Sequence, residues 1–565
     1  MTALDWVVLL ATTAFICLWG IWRTRSKTAE SFLRGDYELK WPTIGLSVMA
    51  TQASAITFLS VPGQAYEDGL RFIQFYFGLP LAMVLISAVF IPIYYRLKVV
   101  TAYEYLEARF DLKTRLFGAF LFLIQRGLAS GITLYAPAII LSTVLGWSLE
   151  LTIIIMGVVV IIYTVFGGSS AVSQTQKQQM VVMIGGMIVA GIVIVWRLPP
   201  EVSVAEAVDV AGAFGRLNAV SFRFTLEDRY NFWSGLAGGF FLALSYFGTD
   251  QSQVGRYLAG RSITESRLGL LFNGVLKIPM QFLILSVGIL VFVFYQFTAP
   301  PLLFNESLSN QVKASPQAAE LAQVETKWTQ LQADKRGQVE RFLAAEKAGN
   351  TASAAELRAE LQTSAKVASA LRTEAKAVVK KALPSAETKD SDYIFISFTK
   401  RWLPSGLFGL LIAVILAAAM SSISSELTAL GATTTVDFYR RVFKREATPQ
   451  HALRASKAFT ILWGLVAIGF ASFASLLDNL IQAVNILGSI FYGTVLGLFL
   501  VAFFVKRVQG HAVFIAALIS QATVLALFTF TQLGYLWFNV VGCTLVVVLG
   551  LGVQAVLPAA LRAPR

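Results

Sequence analysis

The sequence predicts an all-α polytopic membrane protein with about thirteen transmembrane helices. Three observations predict it. Of 565 residues, 56% are hydrophobic and only 14% are charged, and the mean hydropathy of +0.66 is far above that of soluble chains. Apolar stretches of bilayer length recur along the chain. The loops between them alternate between rich and poor in Lys and Arg, as membrane insertion imposes. The net charge of +13 follows from that bias and implies no nucleic-acid partner.

In chain order the candidate spans are 5–22, 43–66, 72–96, 114–144, 147–166, 177–196, 231–257, 268–297, 404–440, 457–476, 479–505, 511–531 and 534–559. The first has no basic residue before it; Arg23, Arg25 and Lys27 follow it instead, which predicts a retained helix and not a cleaved leader. Basic loops follow spans 1, 3, 7, 9 and 11, including Lys98, Arg109–Arg115, Arg256–Arg267, Arg440–Arg445 and Lys506–Arg507. The alternate loops, such as Leu145–Glu150 and Asp478–Asn479, are poor in them. This predicts a plasma (bacterial inner) membrane protein with its N-terminus outside and Arg562–Arg565 in the cytoplasm. Cys17 and Cys543 both lie in apolar segments and frame no disulfide; His451 and His511 form no metal constellation.

Residues 305–390 interrupt the pattern on the outer side, being rich in Ala, Glu, Lys, Gln and Arg. Leu321, Val324, Trp328 and Leu331 keep heptad spacing, as do Leu357, Leu361, Ala368, Leu371, Ala375 and Val378, with Gly349-Asn350 suited to a turn. A protruding antiparallel helical hairpin is expected; the alternative is a charged, partly disordered linker.

Three stretches are polar inside apolar runs. Ala50–Thr57 and then Pro62-Gly63 interrupt the second span, and Ser245–Gln251 the seventh. Backbone without helical partners cannot face lipid, so these breaks must line a cavity or be buried in protein. Spans 2–6 and 7–11 superpose as two five-helix halves of opposite topology, each opening with an interrupted helix, the inverted-repeat design of secondary transporters. The expected division is 1–41 extra helix and loop, 42–230 first repeat, 231–304 with 391–510 second repeat, 305–390 insertion, and 511–565 C-terminal helices. The third polar stretch is Ser421-Ser422-Ile423-Ser424-Ser425-Glu426 within Leu407–Leu430. Two readings stand for its hydroxyls: close packing of helices through small residues, or oxygen ligands for a hard cation.

These residues carry a resemblance. Gly167-Gly168-Ser169-Ser170-Ala171-Val172, Gly248-Thr249-Asp250-Gln251 with Arg256-Tyr257-Leu258, Tyr135-Ala136-Pro137-Ala138, and the serine stretch ending in Val436-Asp437-Phe438-Tyr439 together resemble the sodium/solute symporters, over about residues 1–510 outside the insertion. This family includes sodium–glucose, sodium–iodide, monocarboxylate and sialic-acid carriers. The resemblance implies a LeuT-like five-plus-five core, alternating access, and Na⁺ as the coupling ion. It places the sodium site on the carbonyls of Ala50, Ala53 and Ala418 and the hydroxyls of Ser421 and Ser422. It makes Tyr246 an aromatic gate beside the solute. A second cation site of some members would use Ser424 and Ser425, but the aspartate expected with them is Gln176 here, followed by Lys177. Lys177 either pairs with Glu426, as a tethered cation, or snorkels to the cytoplasm.

Gln52, Thr57, Tyr76, Arg126, Ala243 and Tyr246 are the candidate solute contacts. At the positions of sugar-binding relatives the chain has Thr57, Tyr76 and Ala243, a more apolar pocket than a sugar requires. Arg126 lies inside span 4, where it either meets a carboxylate solute or is paired within the protein. The expected function is therefore Na⁺-coupled import of a small carboxylate or other compact anion. A Na⁺/sugar or polyol symporter is the alternative, and a transporter-like membrane sensor a lesser one. Na⁺, a small solute and the bilayer are the expected partners, with no obligate protein partner and no enzymatic constellation such as a G-x-S-x-G elbow.

Overall fold

The computed structural model describes residues 1–23, 39–97, 99–384, 386, 388, 390–473 and 480–558, with side chains described for these except 16–23, 143 and 167–175. Arg25, Lys27, Lys98, Asp478–Asn479, Arg562–Arg565 and the side chains of Cys17, Arg23 and the Gly167–Val172 motif lie outside what is described.

The chain folds as an all-helical membrane bundle. Among the described residues, 10 helices are long and apolar enough to cross a bilayer by themselves. The difference from about thirteen has physical causes. The second and third expected spans run together as Ala55–Leu97 once the break at Ala53–Ser54 is passed. The seventh is divided into Gly239–Thr249 and Gln251–Leu258, each short. The first is a 21-residue helix, Ala3–Arg23, whose described side chains end at Phe15. Between the fifth and sixth spans no loop intervenes: helical hydrogen bonding continues from Leu149 to Trp196. No proline interrupts it, and Leu149–Phe166 and Gln176–Trp196 each have span length and hydropathy.

Both breaks are local events. Trp41–Gln52 ends at Ala53 (φ −85°, ψ 72°), and Ser54 (ψ 178°) turns the chain before Ala55–Asp68 begins. The last carbonyls of the first piece are thereby left without intrahelical amides. In the second repeat Asp250 (φ −79°, ψ 120°) closes one helix and caps the next, accepting from Ser252 N at 2.9 Å and Ser252 Oγ at 2.6 Å. The serine helix Leu407–Thr433 packs on the first broken helix and on Gln251–Leu258, so both breaks abut it. Helix Ile263–Phe297 crosses Ala55–Asp68 closely: a Cβ at Gly288 would lie 2.2 Å from the Pro62 carbonyl oxygen.

The insertion forms two helices, Ala318–Lys347 and Thr351–Ala382, joined at Gly349 (φ +65°) with Asn350 capping Ser353 N at 3.1 Å. The heptad residues Leu321, Val324 and Trp328 meet Leu371, Ala375 and Val378. The hairpin does not protrude. Phe342, Leu343, Leu357 and Leu361 join the core of the bundle, Lys347 pairs with Glu206 at 2.6 Å, and Gln362 Nε2 donates to the Ala213 carbonyl at 3.2 Å. Near the turn the apolar residues of both helices, Leu357 and Leu361 of the heptad run among them, thus pack into the bundle core, where the hairpin meets helix Val204–Ala213.

Candidate functional site

The first broken helix and the serine helix bring together neutral oxygens. Ser422 Oγ donates to the Ala50 carbonyl at 3.4 Å. Ser421 Oγ is buried and has no hydrogen-bond partner among the described residues, and the same holds for Ser424 Oγ. Ala53 and Ala418 are fully buried on the same two elements. A buried hydroxyl without a partner is costly. Oxygens without thiolate or imidazole suit a hard cation, so the donor set fits Na⁺.

Gln176, which stands where the second cation site of some members has its aspartate, is buried against the first broken helix and the serine helix. Its Oε1 accepts from Ser47 Oγ at 2.5 Å, and its Nε2 donates to Thr51 Oγ1 and Ser425 Oγ, each at 3.1 Å. Ser425 Oγ also donates to the Ser421 carbonyl at 2.9 Å. The carboxamide thus ties three helices, with both its N–H groups turned to hydroxyl oxygens. The expected pairing of Lys177 with Glu426 is corrected: Lys177 is exposed, whereas Glu426 is buried and its Oε1 accepts from Arg126 NH1 at 3.1 Å. Successive helical residues diverge by about 100°, so Lys177 cannot follow Gln176 inward.

Arg126 is committed within the protein. Besides Glu426 it meets Asp250 through Nε at 3.1 Å and through NH2, donates to Tyr492 Oη at 2.6 Å, and lies 5.3 Å from the Tyr246 ring centroid. Tyr492 Oη donates to Asp250 at 3.0 Å. One guanidinium thus faces two carboxylates, which leaves no positive excess for an anionic solute. The cluster forms one wall of a cavity of about 70 Å³ shared with Gln52, Thr57, Tyr76, Leu242 and Tyr246, with room for a few water-sized groups. Gln52 Oε1 has no partner among the described residues. Ala243 is not on the wall: Leu242 and Tyr246, four apart, share the cavity face, and Ala243 is turned away from it.

Lys277 escaped the sequence reading. It is fully buried, its Nζ has no hydrogen-bond partner among the described residues, and it lies 5.8 Å from the Tyr76 ring centroid. Asn273 Oδ1 and both polar atoms of Gln281, one turn on either side, are also unpartnered. These residues share the helix face that carries Gly288 toward Ala55–Asp68. An ionisable residue inside an apolar span was the available signal.

A helical membrane bundle whose two interrupted helices meet a hydroxyl-bearing helix defines the inverted-repeat class of membrane protein. A solved structure, the substrate-bound outward-open state of a Na⁺-coupled sialic acid symporter, has this fold at TM-score 0.75, with 24% identity, covering 99% of this chain and 98% of that one. The model of the sodium:solute symporter family matches residues 32–325 and 336–520, and the chain belongs to that family. It is 33% identical over 313 residues to the sodium/iodide cotransporter of Homo sapiens, 54% of this chain and 47% of that protein. It is 27% identical over 484 residues to the sodium-coupled monocarboxylate transporter 1 of Xenopus laevis, 84% of this chain and 62% of that protein. The matches therefore span less than two thirds of those relatives' own lengths.

Proposed function

We propose that the protein is a Na⁺-coupled symporter that imports a compact anionic solute by alternating access. The observation that carries the ion reading is the set of neutral oxygens at Ala50, Ser421 and Ser422, one of them buried without a partner among the described residues. Ala53 and Ala418 complete the proposed site through their carbonyls. The family assignment supports sodium, and the similar proteins include carriers of iodide, monocarboxylates and sialic acid.

Lys277 supports the anionic solute. Of the two readings of Arg126, pairing within the protein holds, since Asp250 and Glu426 neutralise it. Lys277 has no hydrogen-bond partner among the described residues and lies beside Tyr76, which lines the cavity, so an anion in the cavity would help to compensate its buried charge. Gln52, Thr57 and Tyr246 would then contact the rest of the solute. A polyol is the second reading, favoured by the unpartnered amide oxygens of Gln52 and Asn273. Membrane topology follows from the basic loops: N-terminus outside, hairpin on the outer side, in a bacterial inner membrane.

Counterflow in proteoliposomes tests the reading. Labelled lactate, iodide, sialic acid and glucose are offered with Na⁺ or K⁺. Na⁺-dependent exchange of an anion and not of glucose is the expected result; exchange of glucose alone would overturn the anion assignment, and no Na⁺ dependence would overturn symport.

A further inference from the structure

The serine helix continues into a π-helical segment, Thr434–Phe443. Beside it, helices Leu112–Leu145 and Pro449–Ala471 leave a groove of about 320 Å³ walled by Phe120, Ile124, Phe438, Phe443, Phe459 and Trp463. The polar groups on this wall are spent on near neighbours: Trp463 Nε1 donates to Thr434 Oγ1 at 2.9 Å, and Tyr439 Oη lies 2.9 Å from His451 Nε2. Phe443 is 78% exposed and Phe120 49%. An aromatic groove of this depth, open at the side of a membrane bundle, offers hydrogen bonds to nothing and matches a hydrocarbon chain.

One end of the groove is basic. Between 440 and 457 the chain has Arg440, Arg441, Lys444, Arg445, Arg454 and Lys457 against the single acid Glu446. Arg441 is committed to Glu107. Arg440, Lys444 and Arg454 are exposed. Arg440 follows Tyr439 and Lys444 follows Phe443, both on the groove wall. Arg454 lies one turn beyond His451, whose ring stacks on Tyr439 with centroids 5.7 Å apart and planes at 19°. The exposed cations thus belong to the same short segment of chain as Tyr439 and Phe443, or lie one turn from a residue that bonds to Tyr439, and long Arg and Lys side chains reach over such distances.

We propose that this groove is a specific site for an anionic glycerophospholipid, one acyl chain lying along the aromatic wall and the phosphate meeting Arg440, Lys444 and Arg454. A bound lipid braces the π-helical end of the helix that carries Ser421–Ser425. The proposal does not depend on the identity of the solute.

Native mass spectrometry of the full chain, titrated with phosphatidylglycerol or phosphatidylcholine in detergent, tests it. Phosphatidylglycerol is retained preferentially, and retention falls about fivefold for each charge removed in Arg440→Gln, Lys444→Gln and Arg454→Gln, while phosphatidylcholine retention is unchanged. Ile124→Trp, which fills the groove, lowers retention of both lipids. If that variant fails to fold, the three exposed-charge variants decide alone. Equal retention of the two lipids by the wild-type chain, or a preference that survives loss of all three charges, overturns the proposal.

Discussion

Ser421 and Ser422 differ in what their hydroxyls touch. Ser422 already reaches the Ala50 carbonyl, at a long 3.4 Å, whereas Ser421 Oγ is buried without a partner among the described residues. Removal of either oxygen is expected to weaken Na⁺ activation of uptake by about 1–3 kcal/mol with expression intact. Ser421→Ala is expected to leave folding stability unharmed or improved, because it deletes an unsatisfied group. Na⁺-activation curves and melting temperatures of both alanine variants check this; unchanged Na⁺ dependence in both would remove these serines from the site. At Lys277 the same logic acts on a charge. Lys277→Met is expected to raise the melting temperature of the solute-free protein, since a buried ammonium without a partner is costly. It is also expected to raise KM for an anionic solute about 10–100-fold, the loss of one charge-assisted contact. A variant with normal KM would return the solute assignment to a polyol.

At the scale of the element, the hairpin shows why a heptad pattern is an incomplete forecast. The two helices pair through the spaced apolar residues, yet the same helices also bury Phe342 and Leu343 in the bundle core. Docking brings Lys335 over the Phe214 ring at 5.8 Å, facing Arg216 and Arg372, and burial pushes its ammonium down to about 7. The sign of the linkage is fixed. The undocked lysine binds a proton up to about pH 10.4, while the docked one loses it near 7, so docking weakens as pH falls through that window and strengthens as pH rises. Protection of the hairpin from trypsin is expected to increase between pH 7 and pH 9. Lys335→Met is expected to be more protected at pH 7 and insensitive to pH; equal pH dependence in both proteins would deny Lys335 this role. Replacement of 305–390 by a Gly/Ser linker is expected to keep Na⁺-driven uptake and lower the melting temperature, because the hairpin lies outside both proposed sites but contributes core contacts. Loss of uptake in a well-inserted variant would make the hairpin part of the transport cycle.

For the whole molecule, the carboxamide of Gln176 bears on coupling. It holds Ser47, Thr51 and Ser425 together by hydrogen bonds and, unlike an aspartate, brings no negative charge for a second cation. One Na⁺ per cycle is therefore expected, with hyperbolic Na⁺ activation. Each Na⁺ entering supplies about 2.3 kcal/mol per 100 mV plus its concentration term, so a second ion would roughly double the drive. Reversal potentials in proteoliposomes measure the ratio directly, and two Na⁺ per solute would show that Ser424 and Ser425 bind without a carboxylate.

What the chain determined by itself is what depends on neighbours within a few residues. Hydropathy over bilayer length sets the helices, and small polar clusters at Ala50–Thr57 and Ser245–Gln251 set the breaks, because backbone pairing reaches only four residues along a helix. The serine stretch was legible for the same reason: hydroxyls four apart share a face. Tertiary structure decided which charges neutralise each other. Arg126 meets Asp250 across 124 positions and Glu426 across 300, while Lys177, near Glu426 in expectation, is exposed. No periodicity encodes such pairings, because the gain from satisfying a buried charge depends on which helices the bundle brings into contact. The same bundle buries Lys277 beside Tyr76 with no hydrogen-bond partner among the described residues, a placement that sequence reasoning had passed over.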